Sequence, residues 1–238
     1  MKSTFSHKQP LVKQRIVLLR LDKLLPHEQI VDSHVNFLKD SLTKTKLFIR
    51  PIVVAKGYNV ILDGHHRVAA LQELGYRKIP CIQIPNYLKT DKVALGTWYP
   101  MYKGNNIENN ALLEGFAGEN IEWKEISDFD PSLLLEPEVG FILATQTKFF
   151  QLFGDQKAIY NNFLHQCDPN TINYVKTIDY AVKAVKKGKG RFVLLRRALS
   201  KEDVIKITKN RDLFAPKTTR HILSFRYQDI RVPLEKLK

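Results

Sequence analysis

Five consecutive residues, Asp63-Gly64-His65-His66-Arg67, carry the densest set of chemically useful groups in the sequence. An apolar run ends at Leu62, and a helix-forming run begins near Arg67. Strand end, glycine and helix N-terminus together favour an anion, because glycine allows close backbone approach and the first N–H groups of a helix are unpaired. Two histidines and Arg67 add donors and positive charge. Asp63 suits a magnesium ligand or a helix cap. A cap with surface histidines would account for any one of these residues, but five in one turn point to a site.

Three further segments carry possible chemistry. Pro26-His27-Glu28-Gln29 follows a strand, and Glu28 has the chemistry of a general base if it reaches a proton. Taken alone, it reads more simply as an exposed first-turn carboxylate. Ala215-Pro216-Lys217-Thr218-Thr219-Arg220-His221 offers hydroxyls, cations and an imidazole to a phosphate or carboxylate. A solvated basic loop explains it equally well. Thr97-Trp98-Tyr99-Pro100 could wall a pocket, although such aromatics are more often core. The common phosphate loop G-x-x-x-x-G-K-[ST] is missing, and Gly188-Lys189-Gly190 precedes a strand instead of a helix.

The elements that must position these groups alternate. Residues 15–21 predict a strand. Residues 33–45 predict a helix with Val35, Leu38 and Leu42 in one stripe and Ser33 as N-cap. Residues 52–55 and 60–62 predict a hairpin across Lys56-Gly57-Tyr58-Asn59. A helix over 67–74 should end at Gly75, and residues 79–84 predict a strand whose prolines at 80 and 85 suit an edge or a strand end. Residues 86–137 look irregular. Strands over 139–144, 172–175 and 191–197 then alternate with helices over 156–165, 178–187 and 200–209, the last capped by Ser200 and Asp203. The class is α+β with mixed or antiparallel sheets.

The 238 residues suffice for one large or two small domains, and a 44% hydrophobic content suits a folded chain. No apolar run spans a bilayer, and residues 1–15 lack the apolar core of a secretory signal, reading instead as a frayed tail. Two distant cysteines, Cys81 and Cys167, exclude a disulfide framework and a cysteine zinc site and fit a cytoplasmic protein. The net charge of +14 suits nucleic acid, nucleotide phosphates or small anions, and equally a lysine-rich solvated surface.

Together the four segments resemble the archaeal free serine kinases, a branch of the ParB/sulfiredoxin-like superfamily. The resemblance takes in Leu21-Asp22-Lys23, residues 26–29, 63–67, 97–100, Lys103-Gly104, 216–221 and the 232–237 run. It implies a ParB/sulfiredoxin-like domain over 1–100 and an α/β part over 101–238 whose loop 215–221 contributes to one cleft. It implies transfer of a phosphoryl group from ATP or ADP to the hydroxyl of L-serine, with Mg²⁺, giving O-phospho-L-serine for cysteine synthesis. By resemblance Glu28 is the catalytic base and Asp63 meets the metal. Ser41, Gly64, His65, His66 and Arg67 bind nucleotide and phosphate; Trp98, Lys217, Thr218, Thr219, Arg220 and His221 bind serine and phosphate.

Two rivals share the superfamily. A ParB-like DNA-binding protein needs two consecutive helices after residue 84, where the sequence is aromatic and irregular, so nucleic acid is set aside as a partner. A sulfiredoxin-like enzyme needs a reactive cysteine, and Cys81 lies within an expected strand as a buried thiol.

Overall fold

The structure is a computed structural model and describes residues 9–238, the side chain of Pro169 excepted. The chain forms two compact units. The first runs to Leu95 and resumes at Leu199–Lys238; the second is Gly96–Ala198. The expected assignment of everything beyond residue 100 to a second domain is therefore corrected: loop 215–221 folds with the N-terminal part.

The first unit contains β1 (Ile16–Arg20), α1 (Asp32–Thr45), β2 (Leu47–Phe48), β3 (Ile52–Ala55), β4 (Val60–Asp63), α2 (His65–Glu73) and β5 (Lys78–Ile84). Its four-stranded sheet has the order β1-β5-β3-β4. The β3–β4 hairpin forms as expected, with Gly57 and Asn59 at φ +88° and +57° in the turn. Pro80 suits an edge or a strand end; β5 lies inside the sheet, and Pro80 falls near its start. The register explains the tolerance: β3 begins to pair with β5 only at Cys81, so Pro80 faces a strand on one side alone, opposite Leu18. One face of the sheet packs Ile52, Val54 and Cys81 against Val35 and Leu42 of α1 and Val68 and Leu71 of α2.

α1 starts at Asp32 with Val31 as its N-cap, so Ser33 already lies inside the helix and is not the cap. α2 starts two residues before the expected Arg67, directly after Gly64. Residues 1–8 of the expected frayed tail lie outside the described residues. Residues 9–15 are tied down instead: Val12 N–H donates to the Arg226 carbonyl (2.9 Å), and Arg226 N–H to the Pro10 carbonyl (2.9 Å).

Residues 86–137, expected to be irregular, contain β6 (Val93–Thr97), β7 (Tyr99–Tyr102), α3 (Asn109–Gly118) and β8 (Trp123–Ile126). Their short lengths and aromatic content hid the period. The second unit continues with β9 (Val139–Thr145), β10 (Phe149–Phe153), α4 (Gln156–Gln166), β11 (Ile172–Val175), α5 (Ile178–Lys186) and β12 (Phe192–Leu195). Its six-stranded sheet has the order β11-β7-β12-β9-β10-β8. β10 was not anticipated, because Phe149-Phe150-Gln151-Leu152-Phe153 is nearly all apolar and shows no alternation.

The chain then rejoins the first unit through α6 (Lys201–Lys209), β13 (Thr219–Leu223) and β14 (Val232–Pro233). The expected capping box is present: Ser200 Oγ accepts from Asp203 N–H (3.0 Å), and Asp203 Oδ2 from Ser200 N–H (2.8 Å). Val204 and Ile205 of α6 cover the second face of the β3/β5 sheet. Leu234 and Leu237 complete the core beneath α1 and α2.

Candidate active site

Gly64 joins β4 to α2 at φ +111°, a conformation that side chains disfavour. A Cβ there would lie 2.5 Å from Ile52 Cγ2. The turn is therefore tight against β3, and no side chain caps α2. The first N–H groups of this helix carry no side-chain cap, the arrangement that suits an anion.

The side chains of the turn do something else. Arg67 Nη1 donates to the carbonyls of Arg50 (2.9 Å) and Pro51 (2.7 Å), and Nη2 to Asp63 Oδ2 (2.6 Å). It clamps the entry to β3. His66 Nε2 accepts from Val31 N–H (3.0 Å), tying the start of α1 to the start of α2. His65 is turned inward, where its Nε2 accepts from His27 N–H (3.3 Å). Both rings are neutral. Burial pushes His66 down to about 4, helped by the charges of His34, Lys217 and Arg67, and burial holds His65 well below the usual histidine range. The positive charge expected from the two histidines is absent at neutral pH.

Backbone pairing brings Glu28 to the same place. Leu25 bridges Val60 of β4, and Glu28 bridges Phe214 in the loop after α6. The loop then curls through Lys217 at φ +60°. Thr218 Oγ1 closes this curl on the Ala215 carbonyl (2.7 Å). Thr219 next meets Glu28: its N–H and its hydroxyl both donate to Glu28 Oε1, the hydroxyl at 2.6 Å. Thr219 is thus engaged with the carboxylate. His221 Nε2 lies 2.7 Å from the Tyr87 hydroxyl, and burial holds its ring well below the usual range.

Asp63, Arg220 and His221 line a cavity of about 430 Å³ together with Gln9, Arg50, Arg226 and Tyr227. The last four escaped the sequence reading, being scattered in loops with no motif. Tyr227 donates to Asp63 Oδ2 (3.2 Å), and the Arg50 guanidinium lies 5.8 Å from its ring centre. Both side-chain contacts of Asp63 thus fall on Oδ2. No group of three metal-ligating side chains occurs among the described residues. One half-exposed carboxylate fits Mg²⁺, which takes one or two carboxylates and fills its shell with water and phosphate oxygens.

Two expected residues lie on other elements. Ser41 is exposed midway along α1. Trp98 belongs to the second unit, half-buried between β6 and β7, with Lys176 Nζ 6.0 Å from its ring centre. Cys81 is fully buried and burial pushes its thiol up to about 12, which excludes the reactive thiolate of a sulfiredoxin-like mechanism.

The chain is 33% identical over 235 residues to an ATP-dependent L-serine kinase of Staphylothermus marinus, covering 93% of this chain and 91% of that protein. It belongs to the L-serine kinase family. It is 31% identical over 239 residues to the ADP-dependent L-serine kinase SerK of Thermococcus kodakarensis, covering 96% of this chain and 95% of that one. A solved free serine kinase in complex with AMP matches with a TM-score of 0.83 at 32% identity, over 100% of this chain and 98% of that chain. A shorter match, 41% over 76 residues, to a ParB-like protein of Sulfolobus acidocaldarius agrees with the expected fold; it covers 32% of this chain and 37% of that protein. No family model matches. The kinase relatives disfavour the DNA-binding alternative, because they match along nearly the whole chain.

Proposed function

We propose that the protein transfers the terminal phosphoryl group of an adenine nucleotide to the hydroxyl of free L-serine, with Glu28 as the base. The observation that carries this reading is the meeting of three parts in one unit. A carboxylate held by two donors adjoins an uncapped helix N-terminus and a loop bearing Lys217 and Arg220. Phosphoryl transfer asks little of a protein beyond positioning and charge stabilisation, and these parts supply both.

Glu28 removes the serine proton as the hydroxyl attacks. The first N–H groups of α2, behind Gly64, receive the phosphoryl oxygens, with His65, His66 and Arg67 fixing that helix end from within. Lys217, Arg220 and His221 meet the serine carboxylate and the phosphate, and Thr218 and Thr219 shape the loop that presents them. Ser41 and Trp98 are assigned to nucleotide and serine by family resemblance. Asp63 would hold Mg²⁺ beside the donor phosphates, where the ion would supply charge neutralisation. The cavity beside Asp63 lies within the size range of small-ligand sites, and its arginines and Tyr227 suit a nucleotide. We place the protein in the cytoplasm, which suits its two free, buried cysteines, with O-phosphoserine passing to cysteine synthesis.

The test is incubation of pure protein with L-serine, Mg²⁺ and either ATP or ADP, reading O-phosphoserine by mass spectrometry. Product with one donor supports the reading and names the donor. No product with either, across temperature, overturns it.

A further inference from the structure

His27 has no part in the chemistry above, yet it is the most enclosed ionisable side chain in the cluster. It is fully buried. Its ring lies edge-on to His65 at 4.5 Å and to His221 at 5.3 Å between centres. Its backbone is fixed on both sides, N–H to His65 Nε2 and carbonyl to Phe214 N–H (2.9 Å). The ring therefore has one seat. From it, Nε2 reaches Thr219 Oγ1 at 2.8 Å, and that same oxygen lies 2.6 Å from Glu28 Oε1.

Hydrogen accounting gives this chain a direction. The Thr219 hydroxyl owns one hydrogen, and an ionised carboxylate can only accept. The hydrogen goes to Glu28. Thr219 Oγ1 then has only lone pairs for His27, so His27 Nε2 must be the donor and Nδ1 carries no hydrogen. Nδ1 is enclosed and makes no direct hydrogen bond among the described residues, while the Ile61 carbonyl lies against the ring and offsets part of the effect of burial. Burial pushes the ring down to about 4, so it stays neutral and a second hydrogen does not disturb the order.

We propose that His27 is a positioning residue, locked as its Nε2–H tautomer, which aims the Thr219 hydroxyl at Glu28 and so fixes the base. The inference rests on the kinase reading for what Glu28 does, and the order of hydrogens follows from Glu28 being the ionised base of that reading.

The first measurement is made on the wild-type protein. Histidine selectively labelled with ¹⁵N should show the His27 ring with Nε2 protonated and Nδ1 bare at pH 7; the opposite tautomer overturns the proposal, whether or not serine is a substrate. The second measurement is kinetic, once wild-type turnover of serine is established. His27→Leu should lower kcat by roughly 30- to 100-fold with serine KM moved less than about 3-fold, as expected for a misplaced base. His27→Gln, whose amide can donate from nearly the same place, should recover to within about 10-fold of wild type. Adding Thr219→Val to His27→Leu should cost less than about 3-fold more, because two links of one chain do not add. Wild-type kcat in His27→Leu, a glutamine variant no better than leucine, or fully multiplying losses in the double variant each overturn the assignment. Should His27→Leu fail to fold, the tautomer and the glutamine variant decide.

Discussion

Two segments of the first unit share a vocabulary of histidine, arginine and small polar residues, and they use it in opposite senses. In Asp63–Arg67 the side chains hold backbone: Arg67 grips two carbonyls and His66 accepts the N–H of Val31, the N-cap of α1. What is left for a ligand is the backbone at the helix end. In Pro216–His221 backbone and hydroxyl hold a side chain, Glu28, through Thr219. The lesson concerns charge. The three histidines of these segments, at 65, 66 and 221, and His27 beside Glu28 are pushed down by burial, so the positive field comes from Lys217, the arginines and the helix dipole.

The contrast can be broken most severely at Glu28. Glu28→Gln should lower kcat by about 10³-fold, with serine KM changed only several-fold, in steady-state assays of O-phosphoserine formation. Near-normal turnover would mean that the second segment holds something other than the base. Next comes Gly64→Ala, which puts a Cβ into Ile52 at a strained φ. Nucleotide affinity by calorimetry should fall by about 10²-fold, and stability by roughly 1–3 kcal/mol. A variant that binds nucleotide normally would show that the α2 backbone is not the phosphate seat.

The neutral histidines give a smaller and graded effect. His27 and His66 are held at about 4 in the fold against an ordinary 6.5, so between these values the unfolded chain binds protons that the folded chain refuses. Stability should be level above pH 6.5 and fall steadily as pH drops toward 4, read as the melting temperature across buffers. His66→Gln should flatten that slope; an unchanged slope would mean that the ring is charged in the fold. The smallest effect is expected at Cys81→Ser, which should leave kcat within about 2-fold while lowering the melting temperature, because a hydroxyl replaces a buried thiol without a new partner. Loss of turnover with normal stability would reopen thiol chemistry.

Much of this was legible in the residues because the signals were local. The 63–67 turn announced itself through glycine between a strand and a helix, and the Ser200/Asp203 box through spacing. The duties of the side chains were not local and could not be read. His65 and His66 looked like donors to a ligand, and only the packing of 27–31 against α2 turns them to backbone. Thr219 looked like a binder of substrate, and its partner lies 191 residues away. His27 stood beside Glu28 in plain sight, but nothing in its neighbours forecast burial. The second unit was partly hidden for another reason: β10 lacks alternation, and the elements of 86–137 are too short to display a period.

The first unit is interrupted in sequence, and this has a consequence for the order in which the protein is made. During synthesis Glu28 and the 63–67 turn emerge early, followed by the whole of Gly96–Ala198 and only then by Thr219. At about 5–20 residues per second, roughly 10–40 seconds separate Glu28 from the hydroxyl that holds it. Leu234 and Leu237, which seal the core under α1 and α2, come later still. A chain stopped anywhere before residue 219 thus holds the 63–67 turn and Glu28 in sequence but lacks the Thr219 N–H and hydroxyl that hold that carboxylate.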